Sequence, residues 1–169
     1  ILEKFGTLDV NLMYIGAKNN VFNSHVEFFS KMKKGTLYGL TPLVNETACG
    51  PDFYEEAKKS GHYIELDPSM SMEEAKEYAN KMDVLYTDTW VDMEFFNNPA
   101  YQKQKEETLA KMMPYQLNGD FTKDSKAIVF HDMPMHVGFE ISQDVADKNL
   151  DHILDEAENR RHAEKAVMY

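Results

Sequence analysis

The chain has 169 residues, of which 43% are hydrophobic, so it can fold around one buried core. Its formal net charge of −11 argues against binding to nucleic acids or to anionic membrane surfaces, which require a basic protein surface. The single cysteine, Cys49, predicts no internal disulfide and fits a cytoplasmic protein, and no apolar run is long enough for a membrane span.

Strand-like and helix-like segments alternate along the chain. Short apolar runs predict strands at 10–16, 36–40, 63–66, 83–90, 127–133 and 152–157. Segments with helix caps and amphipathic or charged patterns predict helices at 19–35, 51–61, 71–82, 98–113 and 158–169, and 41–50 is a long loop. This alternation is typical of an α/β fold, with a doubly wound parallel sheet between two helical layers in a single domain.

Polar side chains are found at the ends of four predicted strands. The first strand is followed by Asn20, the fourth ends with Asp88, the fifth ends with His131 and Asp132, and the sixth leads into Arg160 at a predicted helix start. Ligands of doubly wound sheets bind at the carboxyl ends of the strands. The pattern therefore predicts a site for a small polar ligand, although ordinary loop polarity would produce a similar pattern.

Three other kinds of site are less well supported. His131, Asp132 and His136 are valid metal ligands, but their spacing around Pro134 fits no compact metal motif, so no metal is expected. Cys49 has no neighbouring base that would activate it as a nucleophile. A lone glycine after the first strand is not the glycine-rich turn of a dinucleotide site, so no nicotinamide cofactor is expected either.

Five motifs, in order, resemble those of ornithine-type transcarbamylases: "GAKNNVFNS", "VLYTDTWVDME", "MMPYQLN", "VFHDMPMHVGFEI" and "DEAENRRHAEKAVM". They span nearly the whole chain. The resemblance implies the second, amino-acid-binding domain of an enzyme that transfers a carbamoyl group from carbamoyl phosphate to an amino or ureido acceptor without a cofactor. The family's Ser-Thr-Arg-Thr phosphate-binding segment has no counterpart, so residues 1–169 are expected to be half of an enzyme. The full-length enzyme is expected to be a homotrimer.

The resemblance assigns roles to individual residues. Arg160 matches the arginine that contacts carbamoyl phosphate, and a guanidinium at a helix start would suit an anion. His131 and Pro134 match a turn whose backbone carbonyls orient the carbamoyl amide. Asn20 matches the asparagine that holds the acceptor's carboxylate, and Asp88 matches the aspartate that binds its amino group; either could instead be a helix or turn cap.

The mobile substrate loop of the family corresponds to Asp92 and Met93 here. Several positions depart from the family pattern: Asp132 replaces a cysteine, Met133 a leucine, Asp92 a serine and Val137 an arginine. Extra carboxylates would repel an α-amino acid's carboxylate, so ornithine is not the expected acceptor. These variants resemble a divergent branch of knotted transcarbamylases, and the long loop 41–50 is compatible with a trefoil knot. The competing expectation is an inactive isolated domain that serves as a binding module or folding model.

Overall fold

The computed structural model describes residues 1–91 and 93–168, which contain one five-stranded, all-parallel sheet. Its strands are β1 (Asn11–Lys18), β2 (Thr36–Val44), β3 (Tyr63–Glu65), β4 (Val84–Thr87) and β5 (Ile128–His131). They lie in the order β3-β2-β1-β4-β5, so β1 is central and the chain changes direction across the sheet beside it. The predicted α/β fold with a parallel sheet is confirmed.

Eight α-helices occur in the described ranges, three of them only four residues long. They are α1 (Leu2–Phe5), α2 (Asn20–Met32), α3 (Pro51–Lys58), α4 (Met72–Ala79), α5 (Met93–Phe96), α6 (Gln102–Met112), α7 (Gly119–Thr122) and α8 (Gln143–Met168). The three four-residue helices have too few residues for a periodic pattern and were not predicted. No helix in the described ranges has the length and apolar character needed to cross a membrane.

The central strand is buried on both faces. Leu12 and Tyr14 of β1 pack with one group of core residues, whereas Met13 and Ile15 pack with another, because successive side chains of a strand point to opposite faces. Helices α2 and α3 contribute to the first group, and α4, α7 and the first half of α8 to the second. The sheet therefore lies between two helical layers, as the continuous apolar runs predict.

The predicted sixth strand at 152–157 is wrong, because this segment lies inside the 26-residue helix α8. The buried residues of α8 are Val145, Ala146, Asn149 and Ile153, which recur at the three- to four-residue spacing of a helix face. The short apolar run at 152–154 did not distinguish a strand from one turn of a buried helix. Consequently, no helix begins at residue 158.

Candidate active site at the carboxyl ends of the strands

Three polar side chains meet where β1, β4 and β5 end, and these strands are neighbours in the sheet. Asn19 follows β1, Asp88 follows β4 and Asp132 follows β5. Asn19 donates a hydrogen bond of 2.6 Å from Nδ2 to Asp88 Oδ2. The Asp132 carboxyl lies near the Asp88 carboxyl, whose charge acts on its ionisation. We call Asn19, Asp88 and Asp132 the rim cluster.

Asn19 has two structural roles at once. Its Oδ1 accepts a 2.9 Å hydrogen bond from the backbone N–H of Phe22, which makes Asn19 the N-cap of α2. Its Nδ2 holds Asp88 in place. Asn20, the residue predicted to contact the acceptor, is instead the first residue of the helix and is exposed, and its backbone N–H donates to Thr47 Oγ1 at 3.2 Å. The two adjacent asparagines gave no sequence signal for which one faces the sheet.

Asp88 is 6% exposed, and the protein supplies hydrogen bonds to both of its carboxylate oxygens. Oδ2 accepts from Asn19, and Oδ1 accepts from the backbone N–H of Thr89 at 2.6 Å. These donors fix the orientation of the carboxylate. They also occupy much of its hydrogen-bonding capacity before any ligand arrives.

Asp132 has a different environment from Asp88. Its side chain is 35% exposed, so a ligand can reach it, but Oδ1 is buried and has no hydrogen-bond partner among the described residues. Burial raises the pKa of Asp132 to about 8, and the charges of Asp88 and Glu156 act in the same direction. Near neutral pH the Asp132 carboxyl therefore carries a proton.

The turn after β5 is fixed from inside by a buried histidine and glutamate. The backbone N–H of Met133 donates to His131 Nδ1 at 3.0 Å, so the ring proton belongs on Nε2, which faces Glu140 Oε1 at 3.3 Å. The same glutamate oxygen accepts a hydrogen bond from the backbone N–H of His136. His131 and Glu140 are 0% and 1% exposed, so Glu140 holds the turn at two points. Sequence analysis missed Glu140, because this pairing depends on how the intervening loop folds.

The residues predicted to present the turn to a ligand lie on its outer side. Met133 and Pro134 are exposed beside Asp132, and Met133 has a left-handed backbone with φ of 56°. The imidazole of His131 is buried beneath them. His131 therefore cannot contact a ligand directly, and it can affect binding only by fixing the conformation of the turn.

The arrangement around the turn also bears on metal binding. The Nδ1 lone pair of His131 is used by a backbone N–H, and the ring of His136 stacks on Phe96 of α5 with centroids 3.6 Å apart. Across residues 1–91 and 93–168, no group of three or more His, Cys, Asp or Glu side chains is arranged to hold a metal ion. The same stacking brings the segment after β4 against the turn after β5. Asp92 and the side chain of Met93, both predicted to contact substrate, lie outside the described residues.

Arg160 does not lie where the sequence predicted. It belongs to the middle of the second half of α8, whose first residue is Gln143, so the predicted stabilisation of an anion by a helix start is wrong. Its side chain is 83% exposed, and its Nε donates to Glu164 Oε1 on the same helix at 2.9 Å. Within the described part of the chain, Arg160 is thus paired along its own helix rather than with the rim cluster.

A cavity of about 500 Å³ opens between the sheet, α1, α2 and α8. Burial lowers the pKa of His25 in its wall to about 4 and raises the pKa of Glu156, which lies near Tyr86. Sequence analysis singled out neither group, because both occupy ordinary core-facing positions of their elements. The lining residues are Ile1, Leu2, Glu3, Lys4, Leu12, His25, Tyr86, Phe130, Asp155, Glu156 and Asn159.

Comparison with known families identifies the domain. Residues 8–169 match the model of the aspartate/ornithine carbamoyltransferase Asp/Orn-binding domain. The chain belongs to this family. The resemblance to transcarbamylases drawn from the five motifs is therefore confirmed at the level of this carbamoyltransferase domain.

Individual carbamoyltransferases give the same result. The chain is 34% identical over 184 residues to the ornithine carbamoyltransferase of Thermococcus kodakarensis, covering 99% of this chain and 51% of the relative. It is 33% identical over 165 residues to that of Chlorobaculum tepidum, covering 95% and 44%. The structure of ornithine carbamoyltransferase from Pyrococcus furiosus superposes with a TM-score of 0.79 at 30% identity, over 99% of this chain and 51% of that one. The chain spans about half the length of these relatives.

Proposed function

We propose that this chain is the acceptor-binding half of a carbamoyltransferase, which transfers a carbamoyl group from carbamoyl phosphate to an amine. The observation that carries this proposal is the rim cluster, because it joins three strand ends at the position where sheets of this type bind ligands. Membership of the carbamoyltransferase family supports the reaction type. The carbamoyl-phosphate-binding half is a separate domain outside residues 1–169.

The protein's main contribution to this reaction is to position the two substrates, because no covalent intermediate with the enzyme is needed. An amine nitrogen attacks the carbonyl carbon of carbamoyl phosphate, and the bond from that carbon to the phosphate oxygen breaks. The turn with Asp132, Met133 and Pro134 at its surface orients the carbamoyl amide through its backbone carbonyls, and His131 with Glu140 keeps the turn in shape. Asp88 positions the acceptor nitrogen.

Arg160 has its role only when the carbamoyl-phosphate-binding half is present. Its guanidinium is exposed and, among the described residues, pairs with Glu164. An exposed ion pair of this kind contributes little to stability and is easily exchanged for a phosphate. Asn20, Asp92 and Met93 are included in the proposed acceptor side because they match the family's acceptor-binding positions in sequence. In the absence of the other half, carbamoyl phosphate would be largely exposed to water, so the 169-residue chain alone has negligible turnover.

The identity of the acceptor is the open element of the proposal. The relatives named above are ornithine carbamoyltransferases, and they give no support to an acceptor other than ornithine. The departure at Asp132 favours an amine or ureido compound without an α-carboxylate near the rim cluster. Ornithine and 1,4-diaminobutane, which is ornithine without its α-carboxylate, distinguish these two possibilities directly.

The remaining expectations belong to the complete enzyme. We expect a cytoplasmic homotrimer, and the long loop at 41–50 is compatible with a trefoil knot. Sizing chromatography of the full-length protein tests the trimer. Stretching the unfolded chain from its two ends tests the knot, because a tightened knot would keep the chain shorter than its full extended length.

The central experiment is a carbamoylation assay with the full-length protein that contains this chain. Carbamoyl phosphate is supplied with ornithine, 1,4-diaminobutane or a panel of ureido compounds, and phosphate release and the carbamoylated product are measured together. The proposal predicts acceptor-dependent phosphate release with one product molecule formed for each phosphate. Phosphate release at the rate of spontaneous hydrolysis with every acceptor would reject it.

A further inference from the structure

The free hydrogen-bonding capacity of the rim cluster lies on Asp132 rather than on Asp88. Asp88 already accepts hydrogen bonds from Asn19 and Thr89 on its two oxygens. Asp132 is partly exposed and has one oxygen, Oδ1, without a partner among the described residues. A partly exposed carboxyl with unused acceptor capacity favours a ligand that brings an N–H group.

The charge around the two aspartates points to a cationic ligand. No lysine or arginine in the described ranges forms an ion pair with Asp88 or Asp132, and the nearest imidazole nitrogen, His131 Nδ1, is 3.7 Å from Asp132 Oδ1 and accepts a backbone hydrogen bond. Several titratable groups from the surrounding elements act on the aspartates, and none of them carries a compensating positive charge: Tyr14 on β1, His25 on α2, Tyr86 on β4 and Glu156 on α8.

From this geometry we propose that Asp132 is the specificity-determining residue of the acceptor site: it binds the ammonium group of the acceptor and then takes its proton. The proposal rests on the function proposed above and adds the charge of the acceptor and the residue that selects it. It also explains why a carboxyl stands at a position where the resembling enzymes have a thiol. An aliphatic ammonium ion offers three N–H donors, which is enough to bond Asp132 and Asp88 together.

The chemical step balances as follows. An N–H bond of the bound ammonium breaks, and its proton moves to the Asp132 carboxylate, which becomes a carboxylic acid. The freed lone pair of the amine forms a bond to the carbonyl carbon of carbamoyl phosphate, and the carbon–oxygen bond to the phosphate breaks with its electron pair. A second proton from the attacking nitrogen leaves with the phosphate.

The proton on Asp132 gives the proposal a measurable signature. The pKa of Asp132 is raised to about 8 by burial and by Asp88, so at pH 7 the empty site holds a proton that a bound ammonium ion must displace. We expect binding of 1,4-diaminobutane or ornithine at pH 7 to release close to one proton per molecule. Calorimetry in buffers with different enthalpies of ionisation measures this number.

The test compares the full-length wild-type protein with Asp132→Asn and Asp132→Glu. The control is Asp124→Asn, the same change at an exposed aspartate away from the rim. We expect Asp132→Asn to raise the KM for the amine roughly 100-fold, to abolish proton release and to remove the limb near pH 8 from the pH profile of kcat/KM. Asp132→Glu, which keeps the carboxyl group, should restore part of the amine affinity, and Asp124→Asn should match the wild type.

The outcomes separate this inference from the proposed function. Carbamoylation by Asp132→Asn with wild-type KM and pH profile would overturn the role of Asp132 and leave the carbamoyltransferase assignment intact. If the wild type binds the amine with Asp132-dependent proton release but never carbamoylates it, the proposed reaction fails and the ammonium site stands. Absence of both turnover and proton-coupled amine binding would overturn both.

Discussion

The rim cluster and the second half of α8 both contain specific sequence motifs. They differ in the contacts that fix their side chains. In the rim cluster, Asn19 is hydrogen-bonded to Asp88, and the Asp132 carboxyl lies beside it, so three strand ends are joined. In α8, Arg160 is 83% exposed, and its one ion-pair partner among the described residues lies four positions along the same helix. This chain therefore fixes the rim cluster, which we propose to be the acceptor side of the site, whereas the position of Arg160 in a complete site would depend on what packs against α8.

The largest expected effect comes from Asp88, at the centre of the preorganised region. Asp88→Asn keeps the shape of the side chain but removes its charge, and we expect kcat/KM of the full-length protein to fall roughly 10²- to 10³-fold. Steady-state kinetics with saturating carbamoyl phosphate measures the loss. A variant within threefold of the wild type would show that the rim cluster is not where the acceptor binds.

Within α8, two adjacent residues test where the packed half of the helix ends. Ile153 is fully buried and Leu154 is 49% exposed, whereas a strand of a parallel sheet covered on both faces would bury both side chains. Ile153→Ala should lower the free energy of unfolding by about 2–5 kcal/mol because it leaves a cavity, whereas Leu154→Ala should change it by less than about 1 kcal/mol. Denaturant unfolding of the two variants gives the comparison, and equal effects would contradict the assignment of a helix here.

Arg160 and Arg161 form a matched pair on the exposed half of the same helix. Each bonds one glutamate of α8, Glu164 for Arg160 and Glu158 for Arg161. Arg160→Ala should raise the KM for carbamoyl phosphate roughly 30- to 100-fold in the full-length protein because a charge-assisted hydrogen bond to the phosphate is lost, and Arg161→Ala should leave it unchanged. Neither variant should change the melting temperature appreciably, since exposed ion pairs contribute little. Identical kinetics for both variants would remove Arg160 from the site.

The two asparagines before α2 provide a similar comparison inside the rim cluster. Asn19→Ala removes the helix cap and the donor to Asp88, so it should lower the free energy of unfolding by about 1–2 kcal/mol. Asn20→Ala, at an exposed first-turn position, should be nearly neutral. Thermal unfolding of both variants is the measurement. Greater destabilisation by Asn20→Ala would contradict the assignment of the cap.

The last prediction is a pH dependence of stability due to Asp132. Its pKa is about 8 in the folded protein and ordinary in the unfolded chain, so the folded state binds the extra proton between about pH 4 and pH 8. Stability should therefore fall as pH rises through this window, and this contribution should be absent in Asp132→Asn. His25, whose pKa is lowered to about 4, opposes this trend below about pH 6.5 in both proteins, so the difference between them isolates Asp132.

Sequence analysis predicted the sheet well because buried parallel strands are distinct apolar runs separated by helix caps and glycines. It failed at residues 152–157, where a helix turn buries Ile153 and its short apolar run resembles a strand. The error carried over to Arg160, which was placed at a helix start that does not exist. The local sequence pattern did not reveal that α8 continues from the predicted strand at 152–157 into the predicted helix at 158–169.

The candidate site was predictable to the extent that it follows the strand ends. Asp88 and Asp132 stand directly after β4 and β5, so strand assignment alone placed them at one edge. The pairing of His131 with Glu140 and the shift in the pKa of Asp132 were not predictable, since both arise from burial and from contacts across a folded loop. The choice of Asn19 over Asn20 likewise depends on the helix boundary to within one residue.

The most direct test of the account is a crystal structure of the full-length protein with N-(phosphonoacetyl)-ornithine, which joins a carbamoyl phosphate mimic to an acceptor amine. The account predicts that the amide nitrogen of this compound lies within hydrogen-bonding distance of the Asp88 and Asp132 carboxyls, with its phosphonate contacting Arg160. Binding in the 500 Å³ cavity beside His25 and Glu156, or anywhere away from the rim cluster, would contradict it.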